Sequence, residues 1–145
     1  MTRFPGGPSQ SPGFLLWHTT MRWQRVMTAA LAPLDLTHAQ FVLLACAWWL
    51  GERADPPRQS QVGAQAGTDP KMTSDVVARL EGKGLLRRAP DPADARAKFV
   101  LVTPAGAALA ARGIEVVEAA DASFFADVDA PALGVTLSAL ARISD

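Results

Sequence analysis

Residues 80–106 read Leu80-Glu81-Gly82-Lys83-Gly84-Leu85-Leu86-Arg87-Arg88-Ala89-Pro90-Asp91-Pro92-Ala93-Asp94-Ala95-Arg96-Ala97-Lys98-Phe99-Val100-Leu101-Val102-Thr103-Pro104-Ala105-Gly106. A helix runs to about Lys83 and stops at Gly84. Two short β-prone runs follow, Leu85–Ala89 and Lys98–Val102. The segment between them holds two prolines and the charges of Asp91, Asp94 and Arg96, so it reads as a hairpin loop. Thr103-Pro104 then opens a new helix, with a capping hydroxyl and a proline where a missing N–H does no harm. A hairpin directly behind a helix, with an arginine near its tip, is suited to reach the backbone and minor groove of DNA.

The chain upstream fits that reading. Ser60–Ala66 is a short helix of small residues, and Gly67 makes its C-terminal turn. Asp69 caps the next helix and Pro70 takes its first position. Val62, Gly63, Ala66 and Gly67, then Val76, Val77 and Leu80, give the spacing of a helix-turn-helix. Thr73, Val76, Val77 and Leu80 form the inner stripe of the second helix. At about 100° per residue, Lys71, Ser74, Asp75 and Ala78 point the other way. Lys71 and Ser74 are candidate phosphate or base contacts, and Arg79 a backbone contact. Asp75 fits less easily: it can accept from a cytosine amine but is repelled by phosphates.

The flanking elements are helical. A first helix spans about Gly13–Leu31 and ends before Pro33. Thr37 and Gln40 form a capping box, with Leu36 and Phe41 as its hydrophobic staple. The run Phe41–Leu50 is apolar on every face, so its helix should be buried on all sides. A long Ala-rich helix follows Thr103 to about Phe125, and a last one covers about Pro131–Ile143. The expected fold class is mainly α with a small β-hairpin. Residues 1–12, rich in Pro, Gly, Ser and Gln, read as a disordered tail without the apolar core of a signal peptide.

The chain has 145 residues, a formal net charge of zero and one cysteine, Cys46. That length can bury a core without disulfides or metal. A single cysteine permits no intrachain disulfide, in keeping with a cytoplasmic location. The longest apolar run is about half of the ~20 residues a membrane span needs, so no membrane association is expected. Charge is unevenly spread. From Arg58 to Lys98 there are eight basic residues and five acidic, a net of +3; the remainder carries six against nine. The positive excess sits with the helix-turn-helix and hairpin, as expected of a DNA-binding lobe.

With these residues in hand, the chain resembles the MarR family of bacterial winged-helix repressors. The matching residues are Leu80-Glu81-x-Lys83-Gly84-Leu85-Leu86-x-Arg88, Asp91-Pro92-x-Asp94-x-Arg96 and Val100-Leu101-Val102-Thr103-x-x-Gly106, with Leu36-Thr37-x-x-Gln40 upstream. The likeness runs from roughly Leu15 to the C-terminus. It implies one domain over residues 13–145. Residues 36–103 would form the winged-helix lobe, and residues 13–32 and 104–145 the dimerisation helices. It implies a homodimer on a pseudo-palindromic operator in double-stranded DNA, with Arg96 entering the minor groove and Asp94 holding it in place. It also implies release of the DNA by a small, often aromatic, effector. Gly63 stands where an alanine is common in the family, and Asp75 where a polar or basic residue is.

Four tryptophans and no tyrosine are unusual for this length. Core and dimer packing is the plain explanation. The sharper one is a stacking pocket for a planar ligand, built from Trp17, Trp23 and Trp48, with His18, Arg22 and Arg25 holding a carboxylate. Cys46, inside an apolar run, reads as a small hydrophobe rather than a redox sensor. His18 and His38 stand apart without a ligand cluster, so neither metal nor cofactor is expected. No catalytic constellation is visible, which argues against an enzyme. The rival reading is a winged-helix module for protein contacts that has lost DNA binding; zero net charge and Asp75 favour it.

Overall fold

Thr37 starts the helix on which the rest of the chain packs. Its hydroxyl accepts the N–H of Gln40 at 3.1 Å, and Gln40 Oε1 accepts the N–H of Thr37 at 3.2 Å. The expected capping box is therefore complete, and helix α2 runs His38–Gly51 from it. The computed structural model describes residues 1–143. Around α2 lie α1 (Pro12–Leu31), α3 (Gln59–Ala66), α4 (Pro70–Gly82), strands β1 (Leu86–Asp91) and β2 (Asp94–Val102), α5 (Pro104–Phe124) and α6 (Ala130–Ala141). The fold is mainly α with one antiparallel hairpin.

The core joins Leu31, Leu36, Phe41, Leu43, Leu44 and Ala47 to Val62, Val77, Leu80, Leu86 and Val100. α2 is thus buried on most of its circumference, but Trp49 near its end is exposed. Residues 1–12 are not featureless. Pro8–Gln10 make a short 3-10 turn after Gly7, whose φ of 101° suits glycine, and Ser11 caps α1 by accepting the N–H of Phe14 at 3.3 Å. Among the described residues no single helix is long and apolar enough to cross a membrane.

The hairpin departs from expectation. Its strands reach Asp91 and start again at Asp94, leaving only Pro92 and Ala93 as the turn. Pro90, read as loop, pairs with Lys98. Proline is tolerated there because β1 is an edge strand. The next pair is Asp91 with Asp94, so Ala95, Arg96 and Ala97 bulge out of register. On the far side of β2, Arg58 bridges Phe99, and Val100 donates its N–H to Pro57 at 2.8 Å. The segment before α3 thus adds an isolated bridge to the two-stranded sheet.

Two contacts set the tilt of α4. At its C-terminal end, Lys83 Nζ donates to the backbone carbonyl of Asp35 and, at 3.0 Å, to Gln40 Oε1. This ties α4 to the corner between α1 and α2. At its N-terminal end, the Thr73 hydroxyl donates to the Asp69 carbonyl at 2.7 Å and lies 2.7 Å from the Thr68 hydroxyl. Gly63 faces that hydroxyl. A Cβ at Gly63 would stand 2.6 Å from Thr73 Oγ1. Alanine should gain roughly 1 kcal/mol of helix propensity, but it displaces a buried, doubly bonded hydroxyl, which costs about 1–3 kcal/mol. Gly63→Ala should therefore lower the melting temperature by a few degrees. In a Thr73→Ala background the sign should reverse, and thermal melts of the four proteins check this.

Candidate nucleic-acid interface

Asp69 Oδ1 accepts the N–H of Met72 at 2.8 Å and so starts α4. From there the helix periodicity divides the residues. Thr73, Val77 and Leu80 are buried, whereas Lys71, Asp75 and Arg79 are exposed and Ser74 is half-buried. The wing stands beside the N-terminal half of α4. Between them lies an open cleft of about 600 Å³, whose lining includes Ser74, Asp94, Arg96, Lys98, Arg58 and Ser60. The structure thus brings Ser74, Asp94 and Arg96 together, as a helix and a wing meeting the same duplex require.

The other candidates lie around this cleft. Lys71 and Asp75, one turn apart and both exposed, approach to 3.6 Å. Asp75 is therefore the partner of Lys71 on the outward face. Such an exposed pair contributes about 0–1 kcal/mol and yields readily to a phosphate. Arg79 is exposed in the last turn of α4, outside the cleft. Asp94 supports Arg96 through the backbone: its Oδ1 accepts the N–H of Arg96 at 2.9 Å. Asp91 does the same for Ala93, also at 2.9 Å. Two Asx-type bonds therefore shape the tip and the bulge, and the Arg96 side chain projects from the bulge into solvent.

Sequence reasoning passed over three cations of this face. Arg58 enters it through its bridge to Phe99, and Lys98 lies next to that bridge on β2. Arg88 also lines the cleft, but its charge is taken up by Glu81. Glu81 Oε2 accepts the Arg88 backbone N–H at 2.8 Å, and Oε1 accepts from the guanidinium at 3.2 and 3.3 Å. The backbone bond, reinforced by the guanidinium, holds the Glu81 carboxyl below its ordinary range. This clamp fixes β1 to α4. The only local signal for it was a pair of opposite charges seven residues apart.

Within the single chain the residues expected to hold a planar ligand lie apart. Trp17 is 62% exposed, His18 meets the Phe14 ring at a tilt with centroids 4.4 Å apart, and Arg22 lies 5.8 Å from the Phe124 ring. Trp48 lines a separate cleft of about 240 Å³ with Cys46, whose thiol burial pushes up in pKa. Trp23 is engaged with α5, its indole N–H donating to Asp121 Oδ1 at 2.7 Å. Its ring meets His38 edge-on at 4.9 Å. Burial pushes the His38 pKa below its usual value, opposed by Asp121. His38 in turn lines a cleft of about 410 Å³ between the α1–α2 pair and the start of α4, with Gln24, Thr28, Val42, Thr68 and Met72. Thr68 faces both this cleft and the one beside the wing.

A helix-turn-helix backed by a bulged, cationic hairpin defines a winged-helix DNA-binding protein. The MarR family model matches residues 36–98. The chain is 39% identical to the HTH-type transcriptional regulator YdcH of Bacillus subtilis, over 83% of this chain and 82% of the relative. It is 30% identical to an HTH-type transcriptional repressor of Mycobacterium tuberculosis, over 82% of this chain and 83% of the relative. Among solved structures it is similar to CouR of Rhodococcus jostii bound to p-coumaroyl-CoA, with a TM-score of 0.79, 26% identity, and coverage of 92% of this chain and 91% of that one. It is also similar to BpsR of Bordetella bronchiseptica, whose DNA binding is regulated by 6-hydroxynicotinic acid, with a TM-score of 0.78, 30% identity and 92% coverage of both chains. The chain belongs to the MarR family and is a DNA-binding transcriptional regulator.

Proposed function

We propose that the protein is a repressor that grips a pseudo-palindromic operator as a homodimer and lets go when a small aromatic acid enters the His38 cleft. One observation carries the reading: Thr68, at the turn of the helix-turn-helix, forms a shared wall of the DNA-side cleft and the His38 cleft. Its hydroxyl contacts Thr73 on α4. A molecule that spreads the His38 cleft displaces the start of the recognition helix. Such a molecule needs only a few kcal/mol of differential affinity to shift the population that fits DNA. The likeness to BpsR and CouR supports a small planar or acyl-aromatic effector.

Dimerisation follows from exposed apolar surface. Phe14, Leu15, Leu16 and Trp17 on α1 and Val135, Leu137 and Leu140 on α6 face solvent in the single chain. Apolar faces of this extent are covered by a partner, and two-fold pairing gives each recognition helix its own half-site, about 34 Å from the other. Cytoplasmic location follows from the DNA target.

The effector assignment departs from the residues that composition suggested. Trp23 touches the cleft only through its contact with His38, while Trp17, His18, Arg22 and Trp48 do not line it. Trp23 also supplies the test. Titration with 6-hydroxynicotinic acid or a similar aromatic acid should change tryptophan emission saturably and release labelled promoter DNA over the same concentration range. Trp23→Phe should remove most of the emission change and leave the release in place. Release without any effect of His38→Ala would place the effector elsewhere.

A further inference from the structure

Asp91 is only 4% exposed, although it belongs to the tip of a charged hairpin. Its Oδ2 lies 2.7 Å from Nη2 of Arg58. Arg58 is itself held on two sides. It bridges Phe99 of β2 and donates its own N–H to Gln61 Oε1 at 2.8 Å in the first turn of α3. The pair thus staples the wing to the helix-turn-helix across 33 residues of sequence. A buried carboxylate needs a partner, and here the arginine has donors to spare. A guanidinium carries five N–H donors in a rigid fork, and here only Nη2 approaches the carboxylate, as an ion pair rather than an aligned hydrogen bond. The Arg58 side chain keeps 45% of its surface exposed and lines the cleft that holds Ser74 and Arg96.

We propose that Arg58 is a DNA-phosphate contact and that Asp91 is its positioning residue, aiming the free edge of the guanidinium into the cleft between α4 and the wing. The proposal rests on DNA binding by this chain and adds a phosphate clamp between the recognition helix and Arg96. It makes an unusual forecast about sign. Removing a negative charge from a DNA-facing lobe ordinarily strengthens binding. Asp91→Asn should instead weaken it, because Arg58 is then no longer aimed.

The test measures binding of the full-length protein to a labelled fragment from upstream of its own gene, across a range of salt concentrations. Thermal melts verify that each variant is folded. Arg58→Gln alone strands a buried carboxylate, so the informative variant is Arg58→Gln/Asp91→Asn, which leaves no buried charge unpaired. Its slope of log K against log salt should be shallower than wild type by about 0.9 per chain bound. Its affinity should be lower by about 10-fold or more. Asp91→Asn alone should bind more weakly than wild type, yet add no further weakening on top of Arg58→Gln. An unchanged salt slope in the double variant, or Asp91→Asn binding as tightly as wild type, overturns the proposal while the regulator reading stands. Failure of the wild-type protein to bind at low salt overturns both.

Discussion

Replacing Arg96 by alanine should lower operator affinity by about 100-fold while leaving the melting temperature at its wild-type value. The expectation is built from position. Arg96 is the middle residue of the three that β2 leaves out of register, so its backbone is displaced from the sheet and its side chain is exposed, with no ion pair among the described residues. Removing an exposed side chain of that kind changes stability by less than about 0.5 kcal/mol. For DNA the loss is of another order. An arginine in the narrow, electronegative minor groove contributes about 1–2 kcal/mol, and a dimer places two wings on one operator. The factor of 100 follows at 1.4 kcal/mol per decade. The loss should be similar for different operator sequences, because the groove is read there by width and potential rather than by base edges. Anisotropy titrations against the operator and a scrambled duplex, with a melt of each protein, check both halves. A wild-type affinity in the variant would remove the wing from the DNA interface.

The contrast with Asp94 follows from the same geometry. Its carboxylate supports the bulge through the Arg96 N–H, not through the guanidinium. Its loss therefore loosens the loop that carries Arg96 rather than removing a contact. Asparagine keeps an acceptor at that position and should retain more binding than alanine.

What was legible in the sequence was what local chemistry controls. Thr37, Asp69 and Thr103 declared their helices because a cap needs only a side chain and an N–H three residues on. The inner stripe of α4 was legible because one helix turn repeats every 3.6 residues. The wing tip was misjudged for a physical reason. Pro90 forbids a ladder hydrogen bond, which reads as loop, but on an edge strand that N–H would have faced solvent in any case. Contacts between distant segments were not legible at all. Nothing in Trp23 announces that its indole will bond Asp121, 98 residues away, on a helix that the aromatic set along α1 and α2 did not include. The same holds for Arg58, whose place in the cleft depends on its bridge to Phe99 and on the neighbouring bond from Val100 to Pro57.

Gly106→Ala should be the most damaging single methyl group in the protein. Gly106 is the third residue of α5 and is buried against the start of the hairpin. A Cβ there would overlap the carbonyl oxygen of Leu85 and stand 2.9 Å from its carbon and 3.0 Å from Val102 Cγ1. That carbonyl cannot swing aside. It accepts the N–H and the hydroxyl of Thr103, both at 3.1 Å, and the same hydroxyl also donates to Gly84 at 2.7 Å and caps Gly106 at 3.0 Å. Relief therefore has to come from lifting α5 away from the wing, against a helix propensity gain of only about 1 kcal/mol. A clash with fixed backbone should cost about 3 kcal/mol or more, and the melting temperature should fall by roughly 10 °C. The consequence reaches function, because this junction joins the helix that leads to the dimer surface to the hairpin that meets DNA. At a temperature where the variant is still folded, its affinity for the operator should fall, whereas a comparably destabilising core change in α2, such as Leu43→Ala at about 2–5 kcal/mol, should leave affinity intact. Melts and titrations on the two variants separate a junction that transmits geometry from one that merely holds the fold. Equal affinities would show that α5 can shift without moving the wing.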